Sequence, residues 1–231
     1  MSIQNNISEI RQRIAAACAD CGRDPGEITL VGASKMNDAA ACREAIAAGI
    51  DALGENRVQE MTAKLADNAY DGAPLHFIGH LQRNKVKQVV GKVALIQSVG
   101  SMELLEEIEK VAAREQLVQD ILLEVNIGRE EAKSGFDPDA VTAAAEAALS
   151  LPHVRVRGLM TIPPADADRD ANMRYFQEVQ ALYVDINTKL FHNELKCLSM
   201  GMSGDYMDAI RCGATMVRVG TAIFGARNYN I

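Results

Sequence analysis

Residues 28–49 read ITLVGASKMNDAAACREAIAAG, an apolar run followed by an alanine-rich segment. The run at 28–34 is typical of a buried strand, and the segment at 38–49 has the composition and spacing of a helix. Lys35 follows the strand directly. In alternating strand and helix folds the carboxyl ends of parallel strands face the ligand site. Lys35 is therefore a candidate Schiff-base former, and the alternative is a lysine that solvates the strand end.

The same alternation continues along the chain. It predicts eight strands, at 28–34, 52–55, 75–78, 94–99, 121–126, 154–161, 196–201 and 216–219. Helical segments lie between them, among them 38–49, 101–114 and 137–150, and residues 162–170 have the Pro and Asp content of a longer loop. No linker interrupts the pattern. We predict an α/β fold, a single (β/α)8 TIM-type barrel domain over residues 1–231 with an extra N-terminal helix at 3–20. An open doubly wound sheet is the alternative.

Charge and cysteine content limit the function classes. The 231 residues have a formal net charge of -7, which argues against a general nucleic-acid binder or binding to anionic membranes. There is no apolar stretch of about 18 residues, and the first 13 residues are too polar for a signal peptide. The five cysteines are scattered, which fits reduced thiols. We expect a cytoplasmic protein without a membrane or nucleic-acid partner.

The histidines and the closely spaced cysteines give no metal pattern. His76 and His80 flank a predicted strand end, so they do not share a helical face as a zinc pair would. Cys18 and Cys21 have redox-pair spacing, but no second pair follows for zinc. We predict no metal site.

Small and hydroxyl residues follow the last two predicted strands, where barrels commonly bind phosphate. Ser199 and Ser203 belong to the seventh strand and its loop, and Arg218, Gly220 and Thr221 to the eighth. Backbone N–H groups near a short helix can bind an anion. Each segment alone is also compatible with an ordinary turn, but together they predict a phosphate site.

An amine and a phosphate site define a ligand with a carbonyl at one end and a phosphate at the other, and pyridoxal 5'-phosphate (PLP) fits. Lysine attacks an aldehyde only as the neutral amine, so the site must lower its pKa by desolvation or a nearby cation. If Arg218 faces the pyridine nitrogen, it cannot stabilise a pyridinium as a carboxylate would. Such a site suits holding the cofactor or a limited proton abstraction.

Several segments together resemble a known family. They are VGASK at 31–35, GENRVQE at 54–60, HFIGHLQRNK at 76–85, KSGF at 133–136, GLM at 158–160, LSMGMS at 198–203, MVRVGT at 216–221 and IFG at 223–225. The chain resembles the YggS/PROSC family of pyridoxal phosphate homeostasis proteins, which are similar to the barrel domain of bacterial alanine racemase. The resemblance runs nearly from end to end.

The resemblance implies roles for individual residues. It makes Lys35 the Schiff-base lysine, places Asn56 beside the ring and Arg218 near the ring nitrogen, and assigns the phosphate to Ser203, Gly220 and Thr221, with Ser199 as a further candidate. The family commonly has a second basic residue where this chain has Asn37, so that residue's role cannot be carried over. We expect Lys133 to border the site or to be a solvated loop charge. His80 belongs to a family segment, and a structural hydrogen bond is its alternative role.

Three functions remain open. The leading one is a non-catalytic carrier, without catalytic residues, that acts in intracellular PLP homeostasis by buffering PLP and supplying apo-enzymes. The alternative is an amino-acid racemase of the alanine racemase type. That enzyme uses a tyrosine from a second domain and a histidine after a Gly-Leu-x-Thr turn, whereas this chain ends at Ile231 and has Ile162 after Thr161. The third is a barrel enzyme that forms a Schiff base with a sugar phosphate. We expect a monomer.

Overall fold

The computed structural model describes residues 2–225, so Met1 and residues 226–231 of the predicted domain lie outside it. The strands are β1 Thr29–Ala33, β2 Ala52–Glu55, β3 Leu75–Phe77, β4 Leu95–Val99, β5 Gln119–Val125, β6 Val154–Thr161, β7 Cys197–Ser199 and β8 Met216–Val219. The helices are α1 Ile3–Asp20, α2 Ala39–Ala47, α3 Val58–Ala66, α4 Met102–Arg114, α5 Val141–Ala148, α6 Arg169–Leu190, α7 Tyr206–Arg211 and α8 Thr221–Phe224. Two 3₁₀ helices cover Pro25–Glu27 and Arg83–Gln88.

The eight strands form a closed parallel barrel in chain order. Closure comes from the pairing of β1 with β8, in which Thr29, Leu30, Val31 and Gly32 lie opposite Met216, Val217, Arg218 and Val219. The predicted (β/α)8 barrel is confirmed, and the open sheet is excluded. The extra N-terminal helix is also confirmed. α1 buries Ile7, Ile10 and Ile14 and packs against α2, α7 and α8.

The differences from the sequence prediction lie mainly at element ends. α5 begins at Val141 rather than at residue 137, because the Asp137 side chain accepts the N–H of Asp139 and forms a turn there. The loop predicted for 162–170 is shorter, since Asp168 caps α6 by accepting the N–H of Ala171. β5 begins two residues early, and β7 has three residues instead of six. The barrel's third crossover contains only the 3₁₀ helix Arg83–Gln88.

Apolar residues fill the barrel and the layer between strands and helices. Inside the barrel, a small cluster consists of Val31, Ala52, Leu95, Leu122, Met160 and Met216. The buried polar residues His76, Gln97, Ser199 and Arg218 form hydrogen bonds with one another in the same interior. Barrel interiors of this type are packed cores, so a ligand binds at the mouth rather than in a channel.

Two features bear on the environment expected from the sequence. Between residues 2 and 225, no helix combines the length and apolar character needed to cross a membrane. All five cysteines are free thiols, and Cys18, Cys42 and Cys212 are buried.

Gly158 allows close contact between two adjacent strands. It lies in β6 opposite Cys197 of β7, and a Cβ at this position would be 1.6 Å from the Cys197 carbonyl oxygen. The contact is with backbone atoms of a strand, which cannot move aside without breaking the sheet. A side chain at residue 158 therefore conflicts with the closed barrel.

We expect Gly158→Ala to lower the free energy of unfolding by about 3 kcal/mol, the upper end of the usual cost of overpacking. Urea unfolding followed by circular dichroism measures this. Gly204→Ala is the control, because a Cβ there would have no heavy atom within 4 Å. Equal unfolding midpoints for the two variants would contradict this account of the barrel.

Candidate functional site

Five of the predicted site residues line one cavity at the carboxyl ends of the strands. The cavity has a volume of about 230 Å³, and its lining includes Lys35, Ser203, Arg218, Gly220 and Thr221. Lys35 is half-buried, and Arg218 is almost completely buried. The structure therefore brings together the amine, the cation and the loop after β7 that the sequence analysis selected from distant parts of the chain.

Strand pairing explains this proximity. Because β1 and β8 are neighbours with Val31 opposite Arg218, the residues that follow both strands meet at one edge of the barrel mouth. Side chains alternate along a strand, so Lys35 continues the inward-facing series of Val31, whose side chain packs inside the barrel. A Cβ on Gly220 would be 3.4 Å from the Ala33 carbonyl oxygen, so the two strand ends are in direct contact.

The start of α8 supplies backbone donors. The Ser203 hydroxyl oxygen accepts the N–H groups of Gly220, at 3.2 Å, and of Ala222, at 3.5 Å. These N–H groups have no partner within the helix, because they belong to its first turn. With both N–H groups donating to its oxygen, the Ser203 hydroxyl can donate its own hydrogen to an anion at the cavity.

A chain of buried hydrogen bonds holds Arg218. Its Nη1 donates to Ser199 Oγ at 2.5 Å, and the Ser199 hydroxyl donates to Gln97 Oε1 at 2.6 Å. The Gln97 amide nitrogen then donates to His76 Nδ1 at 2.9 Å, and Arg218 Nη2 donates to the Thr161 carbonyl at 2.9 Å. Since His76 Nδ1 is an acceptor, neutral His76 has its proton on Nε2. We call this chain, from Arg218 through Ser199 and Gln97 to His76, the interior relay.

Ser199 is fully buried, is not part of the cavity lining and accepts a hydrogen bond from Arg218. Its expected contact with a phosphate stays a prediction. Gln97 was not among the predicted site residues. The sequence does hold a clue to it. Gln97 lies two residues after Leu95 in an apolar strand, and since side chains alternate along a strand, both face the barrel interior.

Arg218 remains a cation. Burial lowers the pKa of its guanidinium to about 10, and the carboxylates of Glu124 and Asp205 act in the opposite direction. The group is therefore protonated at neutral pH. Burial also raises the pKa of Glu124, although the nearby Arg218 opposes this.

Asn56 follows β2 and does not belong to the lining of the 230 Å³ cavity. Its Oδ1 is buried and has no hydrogen-bond partner among the described residues. Gly79 packs against its backbone, since a Cβ there would be 2.2 Å from the Asn56 carbonyl oxygen. The predicted contact of Asn56 with a ring stays a prediction, and the buried amide oxygen is an acceptor available for a ligand.

Lys133 and His80 border a second cavity, of about 510 Å³. Lys133 Nζ pairs with Glu130 Oε2 at 2.5 Å, and Ser134 Oγ forms a 2.7 Å hydrogen bond with His80 Nδ1. Lys133 thus borders a different cavity from that of Lys35.

Asn37, in the place of the family's second basic residue, lines the Lys35 cavity and donates from Nδ2 to the Lys35 carbonyl oxygen at 3.0 Å. In the described part of the chain, no three His, Cys, Asp or Glu residues are grouped to hold a metal ion.

The burial of His76 makes stability depend on pH. Burial lowers its pKa to about 4, against about 6.5 in the unfolded chain. Between these values the unfolded state binds the proton and the folded state does not, so stability present at pH 7 is lost as the pH falls. We expect this loss to be up to about 3 kcal/mol between pH 7 and pH 4.

The variant His76→Gln tests this expectation, because its amide can still accept from Gln97. The free energy of unfolding, measured in denaturant at several pH values, should fall less steeply toward pH 4 in the variant than in the wild type. His192→Gln, on an exposed loop, controls for loss of a histidine. If wild type and His76→Gln had the same slope, His76 would not be the neutral buried group that the relay requires.

Comparison with known proteins gives consistent matches. The family model described as alanine racemase, N-terminal domain, matches residues 2–228. A pyridoxal phosphate homeostasis protein from Aquifex aeolicus is 42% identical over 99% of this chain and 100% of its own length. A protein of the same name from Pseudomonas aeruginosa is 40% identical over 99% of this chain and 97% of its own. The solved structure of PipY from Synechococcus elongatus with PLP bound has a TM-score of 0.84 and 32% identity, covering 97% of this chain and 100% of that one.

Proposed function

Because the chain belongs to the family of pyridoxal phosphate homeostasis proteins, we propose that it binds PLP on Lys35 and maintains the intracellular supply of this cofactor. The observation that carries the proposal is the 230 Å³ cavity. Within it a lysine amine, a buried guanidinium and the Ser203–Gly220 loop lie together. The PLP bound to PipY, a relative over its full length, supports the same choice of ligand.

The residues present fit PLP. Lys35 supplies the primary amine, and Ser203, Gly220 and Thr221 supply a hydroxyl and N–H groups for the phosphate. The unpartnered Asn56 Oδ1 adds a buried acceptor beside the same strand ends. When bound, PLP supplies an aldehyde that forms a Schiff base with an amine and a ring that can withdraw electrons.

The interior relay controls the electronic setting of the site. Arg218 would face the ring nitrogen, and a guanidinium that stays protonated donates a hydrogen bond to that nitrogen without stabilising a proton on it. Ser199 and the Thr161 carbonyl hold the guanidinium in place. With PLP bound, this arrangement would orient the ring and make it a weak electron sink.

We further propose that the protein is a carrier without a robust catalytic activity. Of the described residues that line the cavity, Lys35 and Arg218 are the titratable ones. A racemase needs two bases on opposite faces of the substrate carbon, and a permanently protonated arginine does not serve as one. The name shared by the curated relatives, which refers to homeostasis and not to a reaction, supports the carrier over the racemase.

The remaining parts of the proposal concern the cellular setting. We propose that the protein acts in the cytoplasm as a monomer, buffers the reactive aldehyde and supplies PLP to apo-enzymes. The five free cysteines suit a reducing compartment. Light scattering of the purified protein tests the monomer, and transfer of PLP to an apo-enzyme in a dialysis-controlled assay tests the supply role.

Replacement of Lys35 tests the cofactor assignment. We expect wild type mixed with PLP to show the visible band of a lysine-bound aldehyde and to become irreversibly labelled on Lys35 by borohydride. Lys35→Ala should lose both signals, because the amine is gone. Lys133→Ala, which removes a lysine from the second cavity, is the matched control and should retain them. Labelling of Lys133 with Lys35 unmodified would contradict the assignment.

Proton exchange separates the carrier from an enzyme. In deuterated water, a racemase replaces the α-hydrogen of its amino acid with deuterium during turnover, and NMR detects the loss of the α-proton signal. We expect PLP-loaded wild type to give no exchange above that of free PLP at the same concentration. Exchange that requires Lys35 and exceeds this background by about a hundredfold, the scale of a positioned acid or base, would make the protein an enzyme.

A further inference from the structure

A buried ionic cluster lies directly behind Lys35. It consists of Glu55 at the end of β2 and Glu60 and Lys64 on α3, and we call it the clamp. Side chains alternate at the end of β1, so Lys35 faces the cavity while Ser34 faces the layer between strands and helices. Ser34 Oγ donates to Glu55 Oε1 at 2.6 Å. The clamp thus contacts the residue that precedes the reactive lysine.

The ammonium group of Lys64 uses its full donor capacity in the clamp. It donates to Glu55 Oε1 at 2.7 Å, to Glu60 Oε1 at 2.8 Å and to the Ser34 carbonyl oxygen at 2.8 Å. An ammonium has three N–H donors, so each has one acceptor. Burial alone would lower the pKa of Lys64, but the two carboxylates raise it above its ordinary value. Lys64 is therefore charged and fixed against the backbone of Ser34.

The residue on the other side of Lys35 is held by the same cluster. Met36 has a φ of 61°, in the left-handed region that residues other than glycine rarely adopt. Its backbone N–H donates to Glu60 Oε1 at 2.5 Å. Met36 is 47% exposed, so burial does not account for this conformation. A turn explains it: the Asn37 N–H donates to the Ser34 carbonyl oxygen at 3.1 Å, and the hydrogen bond from Met36 to Glu60 adds a second hold on the same turn.

We propose that Glu60 and Lys64 are positioning residues that fix the direction of the Lys35 side chain through its two flanking peptide groups. Lys64 holds the carbonyl group before Lys35, and Glu60 holds the N–H group after it. With both held, the Cα–Cβ bond of Lys35 points into the cavity before any ligand arrives. The consequence for PLP rests on the proposed function, whereas the backbone geometry does not.

A purely structural role is the competing explanation, in which the clamp only attaches α3 to the barrel. The two explanations differ in what Glu60 does. Glu60 is partly exposed, and it joins Lys64 to the N–H of Met36, whereas Glu55 is fully buried and also bonds Tyr70. Changing Glu60 therefore frees the N–H side of the peptide after Lys35, whose carbonyl keeps its bond from Asn37, while Glu55, Lys64 and Ser34 remain together.

Three variants test the proposal. Glu60→Leu removes the acceptor for the Met36 N–H, and Glu60→Gln retains an acceptor oxygen without the charge. Glu109→Leu is the matched control. Glu109 also accepts a loop N–H, from His153 at 2.8 Å, but on the loop that precedes β6, at the opposite end of the barrel. Thermal unfolding of each variant reports the structural cost separately from the effect on Lys35.

The first readout needs no ligand. Amide hydrogen exchange at Met36 should accelerate at least about tenfold in Glu60→Leu and change little in Glu60→Gln and Glu109→Leu. The second readout is the rate at which the visible band forms after mixing with PLP. We expect this rate to fall about tenfold in Glu60→Leu, because an amine that points in the wrong direction reacts more slowly. In Glu60→Gln the rate should be largely restored. An unfolding temperature lowered equally in Glu60→Leu and Glu109→Leu, with unchanged exchange and band formation, would overturn the proposal.

The two proposals can fail separately. If wild type formed no band with PLP, the proposed function would fail, and hydrogen exchange at Met36 would still decide whether Glu60 holds that peptide. If wild type formed the band and Glu60→Leu formed it equally fast, the positioning role would be wrong while the function stood. Faster exchange together with slower band formation supports both.

Discussion

The pairing of β1 with β8 is the constraint on which the rest of this structure depends. It closes the barrel, and it places residues separated by more than 180 positions in the chain at one edge of its mouth. Lys35 and Gly220 are distant in the sequence, and this strand pairing brings them together. Because backbone hydrogen bonds fix the register of parallel strands, the separation between the backbones of Lys35 and Gly220 is set by the sheet. The loops then contribute the functional groups, on positions that the sheet has fixed.

A buried guanidinium imposes a second constraint. Arg218 is 4% exposed, and a charge in that position is unfavourable unless its donors find acceptors. Ser199 and the Thr161 carbonyl meet that need, and Gln97 and His76 complete the network without introducing a negative charge in direct contact. The result is a fixed cation whose direct hydrogen-bond partners are neutral. A carboxylate in the place of Ser199 would neutralise the charge of Arg218, so a ligand in the cavity would face a neutral ion pair instead of a cation.

Much of this could be predicted from the sequence. The strand pattern follows from apolar runs, and the residues that share the cavity with Lys35 follow from small residues after strands and a lysine at a strand end, whereas their binding of a phosphate stays a prediction. The contact of Ser199 with Arg218 was not predicted, because a serine hydroxyl looks identical in the sequence whether it faces the mouth or the interior. Gln97 and the clamp were missed for a related reason. Their partners come from other strands and from α3, and pairings of this kind become visible only when the barrel register is known.

The two networks that support the site approach it from opposite sides of the barrel wall. The clamp lies outside, acts on the backbone around Lys35 and is charged, whereas the interior relay lies inside, acts on the Arg218 side chain and has neutral partners. They share no residue, and the ladder between β1 and β8 connects them. A buried ion pair that loses one partner typically costs 3–5 kcal/mol, so such charges are best kept where the ligand never displaces them. The ionic cluster lies behind the strand and outside the cavity lining, so a ligand in the cavity would not separate its charges, and the neutral relay leaves the charge of Arg218 uncompensated by its direct partners.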